Sequence, residues 1–420
     1  METLTCYRPK LENIQKAHEL LKTVVLNTPT EKHRGYSEKY NAEIYFKRED
    51  LQLVRSYKLR GAYNKICSLS STSLENGVVC ASAGNHAQGV AYACRQLEVH
   101  ACIFMPITTP QQKVLQVRMF GGQFVEVVLL GDTFDDSLKA AKSYGEEKQA
   151  IFIHPFDDPK IIEGQATVAC EILDAKIGNI DILILPIGGG GLAAGVSSVF
   201  KLLSPNTKII GVEPAGAASM DHALQEGVPK ALSSVDKFID GAAVKCVGAL
   251  TFDVCKSTLD QVIAIPEGLV CKTMLQLYNE YAMVVEPAGA LSLAALELLK
   301  TEVKGKRVVC IVSGGNNDIS RTEEIRERAL LYEELKHYFI VNFPQRAGAL
   351  REFVIEVLGE TDNIVYFQYT RKNNREKGPA VVGIELKQAE DLAPLLERMK
   401  ANNNFGQHLN EQPDLFHFLV

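Results

Sequence analysis

The sequence lacks several features that would point to particular classes of protein. It contains no tryptophan, and no apolar run approaches the roughly 18 residues of a membrane-spanning helix. Its ten cysteines are scattered and form no Cys-x-x-Cys pair, which argues against zinc or dithiol chemistry. Residues 1–6 show no basic and apolar design of a secretory signal. We therefore expect reduced thiols and a cytoplasmic location.

The charge balance also excludes some partners. A formal net charge of -6 and a pI of about 5.9 argue against binding to nucleic acid. Hydrophobic residues make up 46% and charged residues 23% of the chain, as in ordinary globular proteins. Neither a membrane nor nucleic acid is therefore expected as a partner. The 420 residues exceed one average domain, so two or three domains are expected.

Short apolar stretches alternate with helical ones over much of the chain. Strands are predicted at 101–106, 124–130 and 150–156, each followed by a helix. Such alternation predicts an α/β fold with parallel sheets and helices on both faces. Ligands of these sheets bind at the carboxyl ends of the strands.

One lysine has unusual neighbours. Lys58 follows a predicted strand and loop at 44–51 and begins a helical stretch that continues through Ile66. A helix N-terminus and burial both disfavour the ammonium form, and a neutral amine can attack a carbonyl. Lys58 is therefore a candidate Schiff-base residue. Taken alone, the pattern fits a solvated lysine better, and three later stretches reverse that preference.

A turn of small residues follows the predicted strand 77–81. It consists of Ser82, Ala83, Gly84, Asn85 and His86, and a helix is predicted from residue 90 onward. A strand, a turn of small residues and a helix together direct backbone N–H groups at an anion. A carboxylate could approach this turn closely, and its asparagine could hydrogen-bond a ring hydroxyl.

Four consecutive glycines, Gly188 to Gly191, follow another buried strand and could surround an oxyanion with backbone N–H groups. A dinucleotide site is the rival interpretation, because Gly188, Gly190 and Ala193 fit G-x-G-x-x-A and Glu213 follows at suitable spacing. Together with the lysine and the asparagine turn, the loop favours one phosphorylated aldehyde over NAD.

Three more residues occupy turns of this kind. Ser313 follows a strand at 306–312, and its hydroxyl can hydrogen-bond a pyridine nitrogen without forcing protonation. Gly241 and Glu286 lie in two other turns of small residues. Glu286 could line the cleft, or it could simply favour the dipole of the helix that follows.

The ordered motifs Ser-x-Lys-x-Arg-Gly-Ala, Ser-Ala-Gly-Asn-His-Ala-Gln-Gly, Gly-Gly-Gly-Gly-Leu and Ser-Gly-Gly-Asn resemble those of fold type II pyridoxal-phosphate (PLP) enzymes. Among these, the biosynthetic threonine dehydratases are the most similar. The resemblance implies that Lys58 forms the internal aldimine with pyridoxal 5'-phosphate. The implied cofactor-binding residues are Lys58, Asn85, Gly188, Gly189, Gly190, Gly191, Leu192 and Ser313. The implied substrate-binding residues are Ser82, Ala83, Gly84, Asn85 and His86.

Some relatives resembling serine racemase carry a divalent metal after the corresponding strand. Glu213 and Ala217 match that pattern, but Ser219 stands where an aspartate is expected. No metal is therefore predicted.

The C-terminal region has a different pattern. A charged helix at 321–335 leads into a βαββα order that includes a polar hairpin loop at 371–378. The segment Phe-Pro-x-Arg-x-Gly-Ala-Leu resembles ACT-like regulatory domains. The predicted domains are a catalytic part of two α/β lobes at 1–328, a connecting helix at 329–336 and an ACT-like α+β domain at 337–413. A pure assembly module is the alternative for the last.

The resemblance implies an L-threonine ammonia-lyase that forms 2-oxobutanoate and ammonia, the first step of isoleucine biosynthesis. It further implies inhibition by isoleucine or valine and assembly as a homotetramer. Three alternatives stay open: a serine dehydratase or racemase that also uses PLP, an NAD-dependent dehydrogenase, and an amino-acid sensor that retains the fold without catalysis.

Overall fold

The computed structural model describes residues 7–369, 376–412 and 415–416. The chain divides into two compact units, residues 1–319 and 320–420. The expected absence of a signal concerns residues 1–6, and most of the predicted hairpin loop falls on 370–375; both lie outside the described residues. Within the described ranges, no helix is long and apolar enough to cross a bilayer.

Helices and strands alternate in the first unit. Its helices are α1 Leu11–Leu21, α2 Arg34–Tyr40, α3 Lys58–Cys67, α4 Ser71–Leu74, α5 Asn85–Leu97, α6 Gln111–Gly121, α7 Phe134–Lys148, α8 Pro159–Asp174, α9 Gly191–Leu203, α10 Ser219–Glu226, α11 Ala249–Thr258, α12 Glu267–Tyr281, α13 Pro287–Leu298 and α14 Lys300–Val303. Its strands are β1 Thr30–Lys32, β2 Glu43–Arg48, β3 Val78–Ala81, β4 Ala101–Met105, β5 Val125–Leu129, β6 Ile151–Phe152, β7 Ile182–Pro186, β8 Lys208–Pro214, β9 Gln261–Ile265 and β10 Arg307–Val312.

Two sheets organise this unit. The larger has six strands in the order β1-β2-β10-β7-β8-β9, and only its edge strand β1 runs antiparallel to its neighbour. The smaller has four parallel strands in the order β5-β4-β3-β6. The inner strands β3, β4 and β7 are buried along their whole length, which explains their continuous apolar sequences. The predicted α/β class with parallel sheets is confirmed.

Helix α3, which begins with the candidate lysine, packs closely against α8. A Cβ atom at Gly164 would lie 2.6 Å from the carbonyl oxygen of Arg60, and one at Gly61 would overlap the side chain of Gln165. Glycine at these two positions lets the helix backbones approach each other. The first turn of α3 is thereby held against the interior of the unit.

A network of buried charges joins β2, α3 and α8. Arg60 donates to both oxygens of Glu49 at 2.8 Å and to both oxygens of Glu171 at 2.6 and 2.8 Å. Lys47 donates to Glu171 at 2.5 Å and to the carbonyl oxygen of Thr28 at 2.7 Å. The four charged side chains are two cations and two anions, and none of these residues is more than 5% exposed.

This balance of charges is the condition for burying them. Removing an ion from water costs several kcal/mol, and only close pairing with complete hydrogen bonding offsets that cost. The hydroxyl of Thr28 supplies a further hydrogen bond to Glu49 at 2.5 Å. Since bidentate pairs have strict geometry, the network fixes the rotation and the register of α3 as well as its burial.

The second unit is an antiparallel sheet with helices. Its helices are α15 Thr322–Tyr332, α16 Ala349–Glu356 and α17 Leu392–Ala401, and its strands are β11 Lys336–Pro344, β12 Asn363–Tyr369, β13 Lys377–Glu385 and β14 Phe405–His408. The strand order is β12-β13-β11-β14. Phe339, Phe353 and Met399 lie in its core. The sequence pattern did not predict β14, which completes the sheet beside β11.

We predict that Glu171→Gln destabilises the first unit by roughly 3–5 kcal/mol, because it leaves Lys47 and Arg60 to share one carboxylate in the interior. Chemical denaturation followed by circular dichroism measures the effect. The matched control is Glu38→Gln, which removes an ion pair with Arg34 whose side chains are 66% and 91% exposed. The control should change stability by less than about 0.5 kcal/mol. Equal effects of the two substitutions would contradict the assigned role.

Candidate active site

The turns predicted to carry chemistry meet at the carboxyl ends of strands in the first unit. Ser56 pairs with Gly314 through an isolated β-bridge, and the backbone N–H of Tyr57 donates to the carbonyl oxygen of Ser313 at 3.3 Å. The start of α3 therefore contacts the turn after β10 directly. Asn85, at the start of α5, hydrogen-bonds to Asn316 in that same turn.

Lys58 is the first residue of α3, as predicted, and it is half-buried. The amine donates a hydrogen bond to the carbonyl oxygen of Pro155 at 2.9 Å. Burial lowers the pKa of Lys58 to about 8, and the negative charge of Glu286 opposes that shift. With a pKa of 8, about a tenth of the amine is neutral at pH 7, far more than for an exposed lysine.

The turn at 82–86 differs in detail from its prediction. Helix α5 begins at Asn85 rather than at residue 90, so the turn is shorter. The N–H of Gly84 already donates to the hydroxyl of Ser82 at 3.2 Å, while Ala83 lies half-exposed beside them. The side chain of His86 turns inward.

The ring of His86 is a neutral donor. Its Nε2 lies 2.9 Å from the carbonyl oxygen of Ile153, and because a carbonyl can only accept, that nitrogen carries the proton. Burial, aided by the nearby charge of Lys58, lowers the pKa of His86 to about 3. Only the backbone of His86 is therefore free to bind a substrate carboxylate.

Asn85 connects three turns. Its Nδ2 donates to Glu286 Oε1 at 2.7 Å, and its Oδ1 accepts from Asn316 Nδ2 at 2.7 Å. Glu286 immediately precedes α13 and is 6% exposed. Burial, aided by the negative charge of Asp240, raises the pKa of Glu286 to about 7, although the hydrogen bond from Asn85 opposes the shift. Of the two interpretations of Glu286, the geometry favours a residue that lines the site.

The glycine turn is enclosed on two sides. A Cβ atom at Gly189 would overlap the ring of Phe156, and one at Gly188 would lie 3.1 Å from Cα of Ala242. Gly190 has a φ of 93°, which a side chain would strain, and it caps the N-terminus of α9. The backbone N–H groups of Gly191 and Leu192, in the first turn of α9, have no acceptor within the helix. They are available to an anion.

Ser313 lies just beyond β10 and is 3% exposed. Its hydroxyl donates to the carbonyl oxygen of Ala288 at 3.2 Å. The hydroxyl must rotate away from that carbonyl in order to donate to a ring nitrogen.

Glu213 has a structural task that the dinucleotide interpretation does not require. Its two oxygens accept from the backbone N–H groups of Met220 at 2.7 Å and Asp221 at 2.9 Å, at the start of α10. Burial raises the pKa of this carboxyl to about 8. Because both oxygens are engaged and Glu213 is fully buried, it cannot reach the hydroxyls of a ribose.

Comparison with known proteins identifies the family. Residues 21–314 match the family described as pyridoxal-phosphate dependent enzymes. The chain belongs to this family. The prediction of a PLP-dependent enzyme is thereby confirmed, and the alternative of an NAD-dependent dehydrogenase is excluded. Residues 327–419 match a second family, described as the C-terminal regulatory domain of threonine dehydratase.

Similar proteins cover almost the whole chain. One is L-threonine dehydratase biosynthetic IlvA of Halalkalibacterium halodurans, 53% identical over 98% of this chain and 99% of its own. The protein of the same name from Bacillus subtilis is 54% identical over 98% and 97%. Among solved structures, processed threonine deaminase isoform 2 of Solanum lycopersicum is 40% identical, with a TM-score of 0.72 over 77% of this chain and 95% of that one. Maize serine racemase is 30% identical, with a TM-score of 0.71 over 78% and 99%.

The residues of this chain suit the family's cofactor. An aldehyde requires a nearby amine that can lose its proton, and the buried Lys58 meets that requirement. A phosphate requires backbone donors without obstructing side chains, and the loop from Gly188 to Gly191 leads directly into the N-terminus of α9. Both conditions are met within one unit.

The segment 154–157 was not singled out from the sequence, although it touches most parts of the site. Pro155 binds the amine of Lys58, Phe156 packs against the glycine turn, and Asp157 accepts from the first N–H groups of α11 at 3.0 to 3.1 Å. The predicted strand 150–156 concealed it, because β6 contains only Ile151–Phe152 and the rest is loop. Its position after a strand was the available signal.

We predict that the rate at which cofactor-free protein recombines with PLP rises with pH around a midpoint near 8. The reason is that the neutral amine of Lys58 attacks the aldehyde, and the amine becomes neutral above its pKa of about 8. Stopped-flow absorbance measures the rate. The control is Lys58→Arg, whose guanidinium stays charged and should show no such phase. A midpoint above pH 10 would contradict the burial of the amine.

Proposed function

We propose that this protein is an L-threonine ammonia-lyase that converts threonine to 2-oxobutanoate and ammonia, at the start of isoleucine biosynthesis. The observation that carries the proposal is the buried amine of Lys58, held at Pro155 in the same site as the Asn85 turn. The names of full-length relatives with more than half their residues identical support the choice of threonine.

Lys58 acts as the base at the α-carbon. When bound, the cofactor supplies a ring that accepts the electron pair left after the α-proton is removed. The neutral Nζ of Lys58 takes that proton, and the low pKa makes the neutral amine accessible near pH 7. The bond between the β-carbon and its oxygen then breaks, and the proton held by Lys58 is returned to the departing hydroxyl, which leaves as water. The released enamine takes up water to give 2-oxobutanoate and ammonia.

The turn at 82–86 holds the substrate carboxylate. The backbone N–H groups of Asn85 and His86 begin α5 and have no acceptor within the helix. Since the N–H of Gly84 is occupied by the hydroxyl of Ser82, the carboxylate must either displace that contact or bind the following amides. Donors fixed in this way need no rearrangement during the reaction.

The remaining residues hold the cofactor in this proposal. The N–H groups of Gly188 to Leu192 would bind its phosphate, the amide of Asn85 would donate to its ring hydroxyl oxygen, and the hydroxyl of Ser313 would hydrogen-bond its ring nitrogen. The buried surroundings of these groups support the assignment, because hydrogen bonds are strengthened where water is excluded.

We predict that Lys58→Ala abolishes formation of 2-oxobutanoate from threonine while the fold stays intact. Loss of the base and of the covalent attachment point should lower kcat by at least about a thousandfold. Keto-acid assays with threonine and with serine measure the loss, and circular dichroism checks the fold. The control is Lys65→Ala, on the same helix but paired with Asp158, in an ion pair whose side chains are 18% and 16% exposed. Residual turnover close to that of the unaltered protein would exclude Lys58 as the base.

We propose that the second unit binds a branched-chain amino acid, isoleucine or valine, and lowers activity. Its match to a regulatory domain of threonine dehydratase supports this. The turn between β11 and α16 offers a suitable place, since Gly348 caps α16 with a φ of 86°. In the described part of the chain, the buried Nε2 of Gln345 in the same turn has no hydrogen-bond partner.

The domain limits at 328 and 337, the homotetramer and the cytoplasmic location stay predictions.

We predict that Gly348→Val desensitises the enzyme to isoleucine without lowering its basal rate. A branched residue cannot adopt the backbone of Gly348 without strain, so the turn and its free amides should shift. The concentration for half-inhibition should rise about tenfold, within the usual range of allosteric coupling. The control, Gly305→Val, imposes similar strain at a φ of 71° in the first unit. Unchanged inhibition in the Gly348 variant would place the effector elsewhere.

A further inference from the structure

Glu286 has contacts that the proposed reaction does not use. Its carboxylate accepts from the side chain of Asn85 at 2.7 Å and from the backbone N–H of Asn316. Asn85 is the first residue of α5, which follows strand β3 of the smaller sheet. Glu286 immediately precedes α13, which packs on the larger sheet. The contact therefore joins the two lobes of the first unit across the site.

The hydrogen bonds around Glu286 fix which way the Asn85 amide faces. Nδ2 of Asn316 donates to the carbonyl oxygen of Val54 at 2.9 Å, and a carbonyl oxygen can only accept. The same nitrogen donates to Asn85, so the Asn85 atom that faces it must be the oxygen. The nitrogen of Asn85 is left facing Glu286, which accepts one of its two hydrogens.

This orientation leaves Asn85 one free N–H and a committed oxygen. A ring hydroxyl that binds there can only accept from the amide, which favours its ionised form. If the amide were flipped, its oxygen would face Glu286 and two acceptors would repel each other. The carboxylate thus selects the donor orientation.

The space around the carboxyl group is reserved by glycines. A Cβ atom at Gly314 would overlap the carboxyl group of Glu286, whereas one at Gly241 would lie 2.9 Å from Cβ of Ala288 and in ordinary contact, at 3.6 Å, with Oε1. The charged groups nearby are Asp240, which pairs with Lys113, and Lys58 itself. The charge of Glu286 acts on both Lys58 and Tyr57, whose pKa values it raises. The carboxyl group of Glu286 therefore explains the glycine at position 314, and the side chain of Ala288 explains the glycine at position 241.

We propose that Glu286 is a positioning residue that orients the Asn85 amide so that its free N–H meets the ring oxygen of the cofactor. The proposal rests on the role given to Asn85 in the proposed function. It assigns Glu286 no contact with the reacting atoms. Its effect on the cofactor must therefore pass through Asn85, and that is measurable.

A double-mutant cycle on the holoenzyme tests this. The variants are Glu286→Ala, Asn85→Ala and the two combined, read by the absorption maximum of bound PLP and by its retention on dialysis. Both single variants should move the absorption maximum in the same direction and weaken retention about tenfold, as loss of a charge-assisted hydrogen bond allows. The combined variant should behave like Asn85→Ala alone.

Two further variants guard the interpretation. Glu286→Gln keeps the shape and one acceptor oxygen, so it should fold normally and retain PLP within about threefold of the unaltered enzyme. Glu297→Gln, on the same helix but paired with Lys300 and Tyr40, should leave the spectrum unchanged. Circular dichroism confirms that each variant is folded.

Results of two kinds would overturn the inference. Additive effects in the cycle, or an unchanged spectrum in both Glu286 variants while Asn85→Ala alters it, would mean that Glu286 does not act through Asn85; the proposed function would then stand. An unchanged spectrum in Asn85→Ala would remove the placement of Asn85 at the ring and the inference with it. The production of 2-oxobutanoate from threonine distinguishes this second case from failure of the proposed activity.

Discussion

The first unit depends on four buried charged side chains that are almost completely shielded from solvent. Arg60 lies two residues after Lys58, and its bonds to Glu49 and Glu171 fix the helix on which the lysine stands. Hydrophobic packing alone could bury α3, but it does not specify rotation or register. A bidentate network does, because the planar guanidinium must meet the oxygens of two carboxylates in fixed directions. The Ser-x-Lys-x-Arg-Gly sequence thus combines a reactive residue with the residue that holds it in place.

Local pattern was sufficient for most of the architecture. Alternation of apolar and amphipathic stretches predicted most strands of the first unit and the helix that begins at Lys58, but it predicted neither β1 nor β9. The predicted ends of helices and strands were wrong where contacts with residues far away in the sequence determine them. Helix α5 starts early, at Asn85, whose side chain is held by Glu286 from 201 residues away. Strand β6 ends early because Ile153 and the residues after it turn toward α5, α9 and α11.

The site residues divide in the same way. Lys58, Asn85 and the glycine turn were recognisable because their sequences are poor choices for a surface or a core. Pro155 contributes a carbonyl oxygen, which every residue has, so its residue type gave no signal and only its position after a strand did. The task of Glu286 was undecided, since an acid before a helix is common. Only the hydrogen bond from Asn85 to Glu286, seen in the structure, distinguishes the two interpretations.

The contact between Phe156 and the glycine turn has an evolutionary consequence. Gly189 and Gly191 both lie against Phe156, so the size of the side chain at 156 and the absence of one at 189 constrain each other. Two such positions should covary among homologues: a lineage that acquires alanine at 189 must first accept a smaller residue at 156. The order of those two changes is fixed, because the reverse order passes through a steric clash. Glycine in this loop is therefore retained by its neighbour as much as by the phosphate.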